Sequence, residues 1–196
     1  MAPRIEAASI DEHVRQQEAR ILDASMALFR QHGYHGVDME AIATAVGLAR
    51  NSLYRYYPNK DHILVACVHR FMQPHLALVR LLEEQVEEPL ARIDAWLDLQ
   101  LDMATSPVHA PMMLIAEIRS AAPELRREIM ALHKLPNDVL ERALREYLKR
   151  QRRDRRLLLA MISSMTEAAA AQALARGGAA AIKRELRQAV RRLLGS

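Results

Sequence analysis

The sequence predicts an all-α fold, and three observations lead there. Only 6 of the 196 residues are glycine, and none stands between Gly47 and Gly177. Alanine, leucine, arginine, glutamate and methionine fill that interval, and all are strong helix formers. Apolar residues recur at helical spacing, with no credible strand pattern between them. About nine helices are expected. A chain of this length can bury one substantial core, or one core plus a small appended module. Its 51% hydrophobic and 27% charged residues are ordinary for a soluble globular protein.

Residues 1–12 are polar and unpatterned, the composition of a frayed, disordered tail. From Val14 the positions Val14, Ile21, Leu22, Ser25, Leu28 and Phe29 share one helical face. Gly33 suits the left-handed position that ends such a helix. After a short linker, Tyr34 to Val37, Asp38 is a competent N-cap for a second helix. Beyond residue 60, Pro89, Pro107, Pro111, Pro123 and Pro136 each precede helix-compatible sequence. Several of them suit a first helical turn, where the missing N–H costs nothing. Pro74 lies inside a helical run from Lys60 to about Glu84, so a kink or break is expected there. Gly177-Gly178 separates the last two helices. The boundaries that follow are a tail at 1–12, a head at 13–60 and a remainder at 61–196.

The formal net charge of +4 is compatible with a nucleic-acid partner without demanding one. Residues 1–60 hold seven Lys/Arg and seven Asp/Glu, so any nucleic-acid contact there rests on a few placed cations. The single Cys67 excludes an intrachain disulfide and fits a reducing cytosol. Residues 1–20 have no signal-peptide pattern. Leu157 to Ala175 carries Ser163, Ser164, Thr166, Glu167 and Gln172, which reads as too polar for a membrane span. A cytoplasmic protein with no membrane partner is expected. Eight histidines include His62, His69 and His75, but no Cys/His/carboxylate cluster has zinc-like spacing, so no metal or cofactor is expected. The sequence offers no nucleophile–base pair and no phosphate loop, which argues against an enzyme.

Residues 39–56 have the spacing of a helix-turn-helix. Ala43 is small where two helices would cross. Gly47, four residues later, can turn through positive φ without steric cost. Ile42, Val46, Leu48 and Leu53 are apolar where the pair would bury against the first helix. The second helix of such a motif enters the major groove with its N-terminal residues first. Arg50, Asn51 and Ser52 would then face base edges or phosphates, arginine matching guanine and asparagine matching adenine. Tyr54, Arg55 and Tyr56 can reach phosphate, sugar or thymine methyls, although Arg55 or Tyr56 can instead pack on the first helix. Asn59 is a plausible cap that leaves Lys60 at the start of the next helix, where an ammonium and free N–H groups would clamp a phosphate. A plain surface lysine is the alternative.

Gly33-Tyr34, Ile42-Ala43, Val46-Gly47-Leu48 and Leu53-Tyr54-Arg55-Tyr56-Tyr57-Pro58-Asn59-Lys60 together resemble the N-terminal signature of the TetR family of bacterial repressors. The likeness covers about residues 14–66; the remainder is similar in helix number and length. Val37, Asp38, Ala49 and Asn51 depart from the family's usual residues. The resemblance implies a homodimer. In each protomer an N-terminal three-helix head would bind a palindromic operator half-site in double-stranded DNA. A C-terminal helical domain would bind the effector, and the last two helices would form the dimer interface.

Pro89 to Thr105 is apolar on more than one face, as expected of a central helix that partly lines a pocket. Trp96, Met103, Met112 and Met113 are the candidate effector-pocket residues. Ile115, Met130, Met161 and Met165 could add adaptable walls, with ordinary core packing as the alternative for each methionine. Leu158, Ile162, Met165, Ala169, Ile182, Leu186 and Val190 are the candidate dimer contacts. Two such helical hairpins paired about a two-fold axis would make a four-helix bundle. The run Lys149-Arg150-Gln151-Arg152-Arg153-Asp154-Arg155-Arg156 reads as a solvated interhelical loop whose leading cations offset a helix carbonyl end, or as a second nucleic-acid patch. The function expected is that of a ligand-responsive repressor, released from its operator by a small apolar effector. An architectural DNA-binding protein without a pocket is the rival.

Overall fold

The computed structural model describes residues 3–106, Leu114, Ile118 and 123–195, with side chains from Ile10 onward. Among the described residues there are eight helices and no strand. They are α1 (Pro3–His32), α2 (Met39–Val46), α3 (Arg50–Leu53), α4 (Lys60–Gln85), α5 (Pro89–Thr105), α6 (Pro123–Tyr147), α7 (Arg155–Arg176) and α8 (Ala180–Leu194). The chain divides into two compact units, one of residues 1–71 and 110–129, the other of 72–109 and 130–196.

In the first unit α1 begins at Pro3, well before Val14, so the expected frayed tail is helical instead. Local chemistry explains the extension. Pro3 suits a first turn, Glu6, Ala7 and Ala8 are good helix formers, and Glu12 bonds Arg15 at 2.9 Å and Gln16 at 3.1 Å. Ile10 is 61% exposed, and the sequence of this stretch carries no apolar period. Further along, Ile21, Leu22, Met26 and Phe29 of α1 are buried, as are Ile42, Val46 and Leu53 of the two short helices and Ile63, Leu64 and Val68 of α4. Cys67 is buried among them, its thiol directed at the Leu22 carbonyl and its pKa pushed up to about 12 by that burial.

The second unit is built on α5, which packs against both α7 and α8. Ile93, Trp96, Leu97 and Leu101 of α5 share one apolar core with Val139, Leu140 and Leu144 of α6, Leu158 and Ile162 of α7, and Leu186 and Val190 of α8. Along the flank of that core runs an antiparallel ladder of ion pairs. Asp102 meets Lys183 at 2.5 Å, Asp98 meets Arg187 at 2.6 Å, and Asp94 meets Arg191. Buried Arg92 closes the turn before α5 by donating to the Val86 and Glu87 carbonyls and to Glu146.

Two prolines lie inside helices. Pro74 does not break α4, so of the kink or break expected there the break is excluded. Pro136, inside α6, is not among the prolines that occupy a first turn. Leu132, Val139 and Leu140, buried on either side of Pro136, hold that helix together despite the lost N–H. Pro89 and Pro123 do open helices, while Pro107 and Pro111 lie outside the described residues. By length and composition α7 is apolar enough to cross a membrane, contrary to the expectation from its Ser, Thr, Glu and Gln. Here it packs on α5 and α8 through Leu158, Ile162, Thr166 and Ala173, and much of its remaining surface is exposed.

Candidate nucleic-acid interface

The site begins at Asp38, whose carboxylate accepts the Ala41 N–H at 2.8 Å and fixes the start of α2. At the other end Gly47 takes φ 68°, a left-handed backbone. Its N–H bonds the Thr44 carbonyl at 3.1 Å, and the Leu48 N–H bonds the Ala43 carbonyl at 2.9 Å. This pair of bonds is the Schellman closure, which satisfies the last helical carbonyls and reverses the chain within two residues. Ala43, buried beneath the turn, leaves room for that reversal. Ala49 caps α3 without a side-chain bond, and Leu53, fully buried, anchors the short helix from below.

That anchoring sorts the predicted contact residues into two groups. Arg50, Asn51, Tyr54 and Arg55 are exposed. Arg50 donates to the Tyr54 hydroxyl at 3.2 Å, and its guanidinium lies 5.7 Å from the Tyr54 ring centre. Its Nε also stands 3.9 Å from Glu40, a distant and solvated pairing. Ser52 and Tyr56 are half-buried and, together with the exposed Arg55, line a groove with Val14 and Glu18 of α1. Of the two arrangements open for Tyr56, this is the one facing the first helix.

Lys60 departs from expectation. Its ammonium turns inward and donates to the Tyr34 and Val37 carbonyls, each at 2.9 Å, and it stands 4.3 Å from the Tyr34 ring centre. It is a strut for the 34–37 linker, not a free phosphate clamp. Asn59 does cap α4, accepting the Asp61 and His62 N–H groups at 3.0 and 3.2 Å. Tyr34 is buried beside Phe29 and donates its hydroxyl to Asp61; burial first, and then that carboxylate, raise its pKa. Sequence reasoning missed this node and also Gly36, where an added Cβ would lie 2.4 Å from the His32 carbonyl oxygen. The two glycines flanking Tyr34-His35 were the available signal.

In the second unit, Trp96 is a core residue whose indole N–H donates to the Pro136 carbonyl at 2.8 Å. Met103 is half-buried, whereas Met130 is 71% exposed. Met112, Met113 and Ile115 lie outside the described residues. Among the expected dimer contacts, Leu158, Ile162, Leu186 and Val190 are buried within the protomer itself, and Met165, Ala169 and Ile182 are half-buried. A helix apolar on several sides does not announce which side its own protomer covers. Leu157, Met161 and Leu174 are the large apolar residues that α7 leaves exposed.

Residues 21–67 match the family described as bacterial regulatory proteins, tetR family. The HTH-type transcriptional regulator RutR of Escherichia coli K12 is 28% identical over 116 residues, 59% of this chain and 54% of RutR. The HTH-type transcriptional repressor KstR of Mycobacterium tuberculosis is 44% identical over 59 residues, 30% of this chain and 27% of KstR. The chain thus spans about half the length of RutR and about a quarter of KstR. A crystal structure of the transcriptional regulator FadR from Bacillus subtilis with stearoyl-CoA superposes with a TM-score of 0.69 at 18% identity, covering 88% of this chain and 96% of that one. At that identity the likeness is one of fold.

Proposed function

We propose that this chain, whose residues 21–67 match the tetR family of bacterial regulatory proteins, is a dimeric, effector-responsive transcriptional repressor. The observation that carries this reading is the Gly47 reversal, which leaves Arg50, Asn51, Tyr54 and Arg55 facing solvent while Leu53 is locked beneath them. Arg50 reads a guanine edge and Asn51 an adenine edge in the major groove. Tyr54 and Arg55 hold the adjoining backbone, and the Arg50–Tyr54 contact pre-orients the arginine. Two protomers pair through the exposed side of α7, where small alanines allow close approach beside Leu157 and Met161. Their heads then meet successive major-groove faces of a near-palindromic operator.

The effector site is assigned to the second unit, with the half-buried Met103 as a contact. A small, largely apolar effector is the favoured occupant. By linkage, an effector that releases DNA is itself bound less tightly by the DNA-bound form.

Selection of bound sequences from random duplexes, followed by mobility shifts on the enriched site, tests this reading. Arg50→Ala is expected to lose about 1–3 kcal/mol and to relax selectivity at one or two base pairs. Failure to enrich any sequence, or an Arg50→Ala variant that binds like the parent, would refute it.

A further inference from the structure

Between residues 145 and 156 stand seven Lys/Arg and two acids. The whole chain carries a formal +4, so this one segment holds more net positive charge than the entire protein. Among the described residues, neither acid forms an ion pair with a cation of the segment. Glu146 is paired with Arg92 at 2.9 Å, and Asp154 accepts the Leu157 N–H at 3.1 Å as the cap of α7. Arg145 leans on Glu141 and Arg153 donates to the Leu193 carbonyl. Among the described residues, the side chains of Lys149, Arg152 and Arg155 have no ion-pair partner.

A solvated loop accounts for part of this charge. Lys149 and Arg150 follow the carbonyl end of α6, where cations are favoured. Arg155 and Arg156, however, open α7, whose first turn carries no acidic residue. Cations at a helix start oppose its dipole. The crowding is also concave: Arg145, Lys149, Arg152, Arg153 and Arg155 line a solvent-open cavity of about 450 Å³ floored by Leu148.

We propose that this cavity is a binding site for a small oligophosphate, a molecule with two or more linked phosphates of the nucleotide kind. Guanidinium forks match phosphate oxygens two at a time, and several converging on one cavity call for more than one anionic group. The volume is that of a small-molecule site. A duplex would need its cations spread along a track of phosphates, not gathered around one concavity. An anion seated there relieves the mutual repulsion and complements the helix start it adjoins. The site lies within the second unit, and anion binding there does not require the DNA contacts proposed for the head.

Titration calorimetry of the full chain with inorganic tripolyphosphate tests the proposal, with orthophosphate, a short duplex of arbitrary sequence and phosphatidylglycerol vesicles as parallel arms. Saturable binding of one tripolyphosphate per protomer is expected, with orthophosphate far weaker. Arg152→Gln/Arg155→Gln should weaken it at least about tenfold. Arg184→Gln/Arg192→Gln, which removes equal charge from α8, should leave it unchanged, and circular dichroism checks that both variants fold. Absence of saturable tripolyphosphate binding, or equal weakening in both variants, overturns the proposal. Loss of duplex or vesicle binding in Arg152→Gln/Arg155→Gln without tripolyphosphate binding overturns it in favour of a macromolecular surface.

Discussion

Gly47→Ala separates backbone strain from packing in the head. At φ 68° an alanine suffers the left-handed penalty of about 1–2 kcal/mol. No atom lies within 4 Å of the Cβ it would gain, so no steric cost adds to this. A stiffer unfolded chain returns about 0.4–1 kcal/mol. The net loss should therefore be about 1 kcal/mol, and Gly47→Asn should lose less because asparagine tolerates this backbone. Gly177 is the internal control: φ is 66°, its cap bonds run to Ala173 and Leu174, and its surroundings are equally open. Urea denaturation followed by circular dichroism should give similar losses for the two alanine variants. Mobility shifts on a selected duplex should separate them, because Gly47 alone of the pair sets the direction of α3. A Gly47→Ala protein as stable as the parent, or a Gly47→Asn protein less stable than Gly47→Ala, would refute the strain account.

Lys60→Ala should destabilise the head by about 1–3 kcal/mol, since two charge-assisted bonds to linker carbonyls are lost; hydrogen exchange at residues 34–37 should rise, and a change confined to the salt dependence of DNA binding would restore the phosphate-clamp role. His75 is buried and its pKa is lowered, burial outweighing its bond with Gln100. The unfolded chain therefore binds the proton first, so stability present above about pH 6.5 falls as pH drops toward the folded-state pKa. His75→Gln should flatten that slope in melts between pH 7 and 5, and an unchanged slope would exclude His75 as its source. Met161→Glu, at a position of α7 that is 40% exposed, should yield folded monomers in sedimentation velocity. Leu158→Ala should instead lower protomer stability by about 2–5 kcal/mol, and a swap of these two outcomes would reverse the assignment of the pairing face.

The head was legible because its rules are local. Asp38, Ala43 and Gly47 each occupy a position that admits few side chains, and the apolar spacing of α1 and α2 names their buried faces. Lys60 was misjudged because the carbonyls it serves come from Tyr34 and Val37, a loop that only the fold brings to it. The start of α1 was missed because its residues have helix propensity but no apolar period. Around α7 the difficulty was different. Leu158 and Ile162 look like Leu157 and Met161 in sequence, and only packing decides which pair the protomer keeps for itself.

The rows Asp94–Asp98–Asp102 and Lys183–Arg187–Arg191 share the same four-residue interval. Sliding α8 by one residue rotates it about 100°, breaking all three rungs while turning Leu186 and Val190 away from the core. Sliding it by four, about 6 Å, re-forms two rungs and returns an equivalent apolar edge. The last helix is thus indexed like a ratchet bar, with discrete seats and no stable resting point between them.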